Sequence, residues 1–247
     1  MTARPVSKSR ARDSSAPRSP GIGFVAALQG LVLIVWNLIA TPFIGRRRLR
    51  WGTIGGEATD PLPGDDYVAE PKWFNTLGIA VEAPPEDVWP WIAQLGQGRG
   101  GFYTYQTLEN IVGCKVTNTT KILPSHQCPT VGDGIHLYAG GPPLEIKVVE
   151  PPNVLVLLGS AADLDGGTTW GTSTWQFVVT PGADGGSRLL TRSRYDYGSG
   201  WKSRLAFGRF PLEPISFVMS RKMMLEIKRL AELRSAPRTD LDSPSSH

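Results

Sequence analysis

The short turn signals between successive strand-like runs constrain this chain more than any other feature. GIHLY at 134–138, LEIKVVE at 144–150, VLVLLG at 154–159, STWQFVV at 173–179 and SRLLTRSRYDY at 187–197 are separated by GGPP, PPN, DGG and PGADGG. Links this short suit antiparallel pairing, because a parallel pair needs a crossover of about a dozen residues or more. An earlier run, WFNTLGIAV at 73–81, alternates well enough for a further strand. Between it and the others lies EAPPEDVWPWIAQLG, where Ala83-Pro84-Pro85 ends the strand and supplies proline to a helix's first turn. Glu86 and Asp87 sit near the positive helix end, and Val88, Trp91, Ile92 and Leu95 make one apolar face interrupted by Pro90. A Gly-rich loop at 96–101 leads into a second short helix around 104–112. That loop lacks the G-x-x-x-x-G-K-[ST] pattern and follows a helix, so it is no phosphate cradle.

The last element predicted is a long helix at 212–233. Met219, Met223, Ile227 and Leu230 form its apolar stripe, with Arg221, Lys222, Lys228, Arg229 and Glu232 facing water. One strand, two short helices, a run of antiparallel strands and a terminal helix make an α+β chain. A curved sheet wrapped around the terminal helix leaves room for a cavity roofed by the two short helices.

Composition bears on partners. The 247 residues carry a net charge of +4, a value that on its own invites a nucleic-acid reading. Residues 1–50 hold nine Lys/Arg and a single acid, Asp13, a net +8; residues 51–247 hold the remaining 17 basic and 21 acidic side chains, a net −4. The basic character is confined to the N-terminal fifth, so no nucleic-acid partner is expected for the main domain. Cys114 and Cys128 are too few for a disulfide framework or a four-thiolate metal site, though a single bridge stays open. His126, His136 and His247 lack metal-ligand spacing, and no metal or cofactor is expected.

The positive charge brackets an apolar segment. No charged residue occurs between Arg18 and Arg46, and residues 22–44 read IGFVAALQGLVLIVWNLIATPFI, 23 residues with Gln29 and Asn37 as polar intruders. A helix crossing a bilayer needs about 20 residues. A cleaved signal peptide wants small residues before a cut, and none follows convincingly; a core helix is rarely apolar on all sides for this length. A single-pass membrane anchor fits best. Arg46, Arg47, Arg48 and Arg50 are denser than the upstream basic group, so positive-inside bias leans toward a cytoplasmic main domain. The organisation expected is a disordered basic tail (1–20), a transmembrane helix (21–45), a connector with little regular structure (46–72), the folded domain (73–234) and a polar tail (235–247).

Several motifs in order are familiar. APPEDVWPWIAQLG after a first strand resembles the start of the SRPBCC superfamily, also called START-like or polyketide cyclase/dehydrase. Trp51-Gly52-Thr53, Pro61-Leu62-Pro63-Gly64-Asp65, Gly101-Phe102-Tyr103-Thr104-Tyr105, Leu108-Glu109-Asn110, Ile122, Pro124 and Val131-Gly132-Asp133 are similar to a membrane-anchored bacterial group within it, with WGTI standing where that group has WGAT. The resemblance spans roughly 51–233 and implies a helix-grip fold with a hydrophobic ligand cavity. It leaves activity open, because the superfamily mixes carriers, cyclases and proteins without assigned function.

For a cyclase, Tyr103, Tyr105, Glu109 and Asn110 supply polar groups at the cavity mouth, with Tyr105 and Glu109 one helical turn apart as the catalytic candidates. The simpler reading has the tyrosines packing the roof while Glu109 and Asn110 hold a neighbouring loop, since no base–nucleophile pair is visible. Trp170, Trp175, Phe177, Met219 and Met223 are the expected lining of an apolar pocket, or plain core. Arg192 and Arg194 are expected on the solvent face, the alternative being contact with a ligand carboxylate. His126 and His136 read as surface or structural. Binding of a lipid- or polyketide-like molecule without chemistry is the leading expectation; a cyclase/dehydratase and a non-catalytic interaction module are the alternatives.

Overall fold

The computed structural model describes residues 20–111, 114–138, 140–162 and 169–236; the readings for 1–19 and 237–247 lie outside the described residues. Six strands, β1 (Trp73–Val81), β2 (Gly134–His136), β3 (Pro143–Glu150), β4 (Val154–Ala162), β5 (Thr169–Pro181) and β6 (Ser187–Tyr197), form one curved antiparallel sheet in the order β1-β6-β5-β4-β3-β2. Strands β2 to β6 are a meander, as their short links require, and β1 closes the far edge on β6 with Trp73 opposite Tyr195 and Val81 opposite Ser187. Register shifts at Ile146/Val148 and Ala161/Ala162 lie in the β3–β4 and β4–β5 pairs, where the extra residue of a bulge bends a strand. The architecture is α+β and compatible with a helix grip.

The remaining elements are α1 (Pro20–Arg48), α2 (Pro85–Ala93), α3 (Gln106–Ile111), α4 (Trp201–Phe207) and α5 (Arg209–Ser235), with short 3-10 turns at Asp65–Val68 and Pro124–His126. Proline starts α2 as expected, and Pro90 is carried inside it. Helix α5 exceeds the predicted 212–233 at both ends, with a kink at Phe210, and α4 has no counterpart among the expectations. The core lies between the concave sheet face and α5, where Leu77, Leu155, Leu157, Phe177 and Leu189 meet Met223, Met224 and Ile227.

The convex face is not open to water. Leu49 and Trp51 accept the amide hydrogens of Thr76 and Gly78, and residues 51–72 cross the outside of β1, β6 and β5. Gly64, at φ 87°, crosses so close to the sheet that a β-carbon there would meet Val156 Cγ1 at 2.5 Å. The arginines expected in solvent are fastened beneath this strap, a correction of the sequence reading. Arg192 is 1% exposed; its Nε donates to Thr76 Oγ1, Nη1 to Asp60 O and Asp65 Oδ2, and Nη2 to Glu57 O. Arg194 donates to the carbonyls of Val68 and Ala69 and pairs with Asp65. Arg188 grips both oxygens of Glu57, whose carboxyl is held below its ordinary range by those hydrogen bonds. The complement is visible in the sequence: the connector carries Glu57, Asp60 and Asp65, and one face of β6 carries Arg188, Arg192 and Arg194. Neither Arg192 nor Arg194 is among the described residues that line the cavity below.

The predicted membrane segment is helical, yet one side of that helix packs on α3 and α5. Gly30 is buried against the ring of Tyr105, where a β-carbon would lie 2.9 Å from Cγ. Near the other end Arg48, 3% exposed, donates from Nε and Nη2 to the two oxygens of Glu213 in α5, each at 2.8 Å, and from Nη1 to Asn37 O. Among the described residues no helix is long and apolar enough to cross a membrane, so the expected transmembrane span has no support from the fold.

Candidate functional site: a cavity between sheet, α1 and α5

A cavity of about 570 Å³ opens between the concave sheet face and the first turns of α5. Alternation in the strands decides what it meets. Once Arg192 and Arg194 turn outward under the strap, Thr191, Ser193 and Tyr195 must turn inward. Likewise Ser173 and Trp175 of β5 face in, while Gln176 reaches out to Asp65. From α5 come Leu212, Ile215, Ser216, Met219, Ser220 and Met223; α1 contributes Ile34 and α4 contributes Ala206 and Phe207. Phe102, Thr104 and Cys114 close the roof side, and Leu137, Tyr138 and Leu144 close the β2–β3 end.

The wall is apolar with one polar corner. Trp175 tilts over Phe177 and Phe102, with centroids at 4.9 and 6.0 Å, and donates its Nε1 hydrogen to Thr191 Oγ1. On the other flank Trp73 stacks on Tyr195 at 4.3 Å and donates to Phe207 O, tying the sheet edge to α4. The Tyr195 phenol lines this corner with Ser193 and Ser216; burial raises its pKa, and the serine hydroxyls oppose the shift. Thr104 Oγ1 is buried with no hydrogen-bond partner. None of the described lining residues is a carboxylate, a histidine, a lysine or an arginine. Among the described residues no group of His, Cys, Asp or Glu is placed to hold a metal ion.

The candidates from sequence are spread over the site and its supports. Trp175, Met219 and Met223 line the cavity. Phe177 lies behind Trp175 in the core. Tyr103, 2% exposed and at φ 57°, accepts a hydrogen bond from Gln94 Nε2 at 2.9 Å, and burial pushes its phenol strongly up. Gln94 has its amide fully used, also bonding Lys121 O, Leu123 N and Gln127, so this pair pins the roof loop. Tyr105 lies under α1 at Gly30, its phenol raised by burial and opposed by Arg221. Asn110 closes a loop through both atoms of its amide, to Val116 N and O. The side chains of Glu109 and Trp170 lie outside the described residues. His136 is exposed with Nδ1 3.1 Å from Gly141 O, opposite to buried Ile135; burial and Arg99 lower the pKa of His126. Ser193, Tyr195 and Ser216 carry no pattern of their own in the sequence, because they share strand or helix with charged residues and alternation alone leaves the inward face open.

No family model matches the chain, and no curated protein does. Similar solved structures include a hypothetical protein of Helicobacter pylori, at TM-score 0.43 and 10% identity over 72% of this chain and 99% of that one. A protein of Mesorhizobium loti gives TM-score 0.38 and 17% identity over 67% and 100%. A conserved protein of Geobacillus kaustophilus gives 0.37 and 15% over 66% and 97%. Likeness at this level carries no function; the fold rests on sheet order and the terminal helix.

Proposed function

We propose that this protein binds a hydrophobic small molecule, lipid- or polyketide-like, in the cavity beneath α5, and does so without chemistry of its own. The observation that carries the reading is the wall: a cavity of about 570 Å³ bounded by Trp175, Phe102, Ile215, Met219 and Met223, with no described acid, base or cation in it. A space of this size and polarity suits an apolar ligand with a few polar contacts. The motifs that resemble the SRPBCC superfamily support the same reading. A cyclase-type activity rests on Tyr105 and Glu109, and Tyr105 is outside the described lining. A purely structural module has no use for the open volume.

The test is saturable binding of the neutral probe N-phenyl-1-naphthylamine, read by energy transfer from the protein's tryptophans. One equivalent should bind, and the double variant Ala206→Trp/Met219→Trp, which fills the cavity from α4 and from α5, should weaken it at least about tenfold. Unsaturable uptake, or uptake indifferent to the double variant, removes the cavity from the account.

The membrane contact is proposed on a separate observation. The side of α1 turned away from the domain exposes Leu28, Leu31, Val32, Val35, Trp36 and Ile39, and Trp201, Leu205 and Phe210 stand exposed around α4. Arg46, Arg47 and Arg50 flank the first group, and Lys202, Arg204 and Arg209 interleave with the second. Apolar rows edged by cations suit an anionic bilayer surface. Both helices also wall the cavity, so a ligand leaving that bilayer has a short path. Co-sedimentation of the full chain with phosphatidylglycerol/phosphatidylcholine vesicles should fall about tenfold in Trp36→Glu/Ile39→Glu; unchanged sedimentation of that variant refutes this contact.

A further inference from the structure

The polar corner of the cavity specifies what kind of head the ligand carries, an inference that rests on the binding reading above. Three hydroxyls meet there. Ser193 and Tyr195 project from the concave face of β6, and Ser216 projects from the first turns of α5 across from them. The Tyr195 phenol shares the lining with both serines. Trp73 fixes its plane by stacking at 4.3 Å, and Trp73 is itself anchored through Nε1 to Phe207 O at 2.7 Å. The ring therefore has little rotational freedom. Three neutral hydroxyls side by side offer O–H donors to give and lone pairs to accept with. Ser173 and Ser220 are in the same lining, and Thr104, Cys114, Tyr138 and Thr174 add neutral polar groups elsewhere in a wall that is otherwise aliphatic, aromatic and thioether.

Charge decides between head groups. A carboxylate or phosphate drawn into this corner exchanges water for hydroxyls alone, with no described cation in the wall to balance it. An ammonium group meets the same difficulty with the opposite sign. A hydroxyl, ketone or ester loses far less solvation and finds a donor and acceptors waiting. The nearby arginines do not alter this, since Arg192 and Arg194 are committed to Asp65 and strap carbonyls on the opposite sheet face.

We propose that the cavity selects an uncharged amphiphile, whose single hydroxyl or carbonyl oxygen docks on Ser193, Tyr195 and Ser216 while its apolar body lies along Trp175, Met219 and Met223. Acidic lipids and fatty acids are discriminated against by the absence of a counter-charge, and pure hydrocarbons by the unused corner.

A matched series with one chain length tests this on the full-length protein: 1-dodecanol, methyl dodecanoate and dodecanoate at pH 8, each displacing N-phenyl-1-naphthylamine. The alcohol and the ester should bind about tenfold or more tighter than the carboxylate. Tyr195→Phe keeps the ring and its stacking but removes the phenol hydroxyl; it should weaken the alcohol about fivefold and leave the naphthylamine unchanged. Ser216→Ala, on the other side of the corner, should act in the same direction and guards against a fold defect in the first variant. Dodecanoate binding as tightly as dodecanol, or an alcohol affinity indifferent to both substitutions, overturns the neutral-head assignment while leaving cavity binding intact. Failure of the naphthylamine and all three dodecyl compounds to bind takes down the binding reading, and the head-group assignment with it.

Discussion

Arg192→Ala is expected to lose about 3–5 kcal/mol of unfolding free energy, the range for breaking a buried charged network from one side. The guanidinium is 1% exposed and satisfies Thr76 Oγ1, Asp65 and the carbonyls of Glu57 and Asp60 at once. Removing it strands two connector carbonyls on the sheet and leaves Asp65 with Arg194 as its remaining arginine. Lysine cannot reproduce four bonds from one planar head, so Arg192→Lys should recover only part of the loss. Urea unfolding followed by far-ultraviolet circular dichroism gives the number. A loss below about 1 kcal/mol, the scale of an exposed pair, would mean that the strap is not held by this residue.

The second large effect is local. Glu213 is 1% exposed and receives both hydrogen bonds of the Arg48 fork, joining the end of α1 to the start of α5. Glu213→Ala removes the acceptor of two charge-assisted bonds from a buried guanidinium. The free energy of opening α1 from the domain should drop by about 3–5 kcal/mol. Hydrogen exchange of the α1 amides at 30–48 should then accelerate by about two to four orders of magnitude. Amides of β5 and β6 should change much less, because the sheet core lies elsewhere. Equal acceleration in α1 and in the sheet would make Glu213 a general stability residue; no acceleration in α1 would deny the clasp.

These two residues show where the sequence could be read and where it could not. The meander was legible because turn chemistry is local: PPN and PGADGG announce their reversals without reference to the rest of the chain. Strand β6 was placed residue for residue, and α2 announced itself through its prolines and acids. What alternation alone leaves open is which face of a strand looks inward. SRLLTRSRYDY offers arginines on one side and hydroxyls on the other, and the ordinary preference puts arginine in water. That preference failed because residues 51–72, which look irregular for want of periodicity, form a polar lid with enough carbonyls and carboxylates to satisfy Arg188, Arg192 and Arg194. The cavity's polar corner was lost with it, since placing Ser193 and Tyr195 inside follows only from placing the arginines under the strap.

The apolar N-terminal segment failed in a different way. Its length and lack of charge pointed to a bilayer, but hydropathy counts residues and not their neighbours. Gly30 and Asn37 break the apolar run on the side that meets protein, and Arg48, grouped by sequence with a boundary cluster, turns into the domain toward Glu213. Long-range partners of this kind, 165 residues apart, carry no local signature.

Cavity occupancy is the central claim, and native mass spectrometry of the full chain, purified from a whole-cell extract with its lipids in mild detergent, tests it most directly. The account predicts a one-to-one non-covalent adduct in the mass range of a small lipid or polyketide, absent from Ala206→Trp/Met219→Trp prepared the same way. A chain that arrives at its bare mass, or an adduct kept by the narrowed variant, contradicts it.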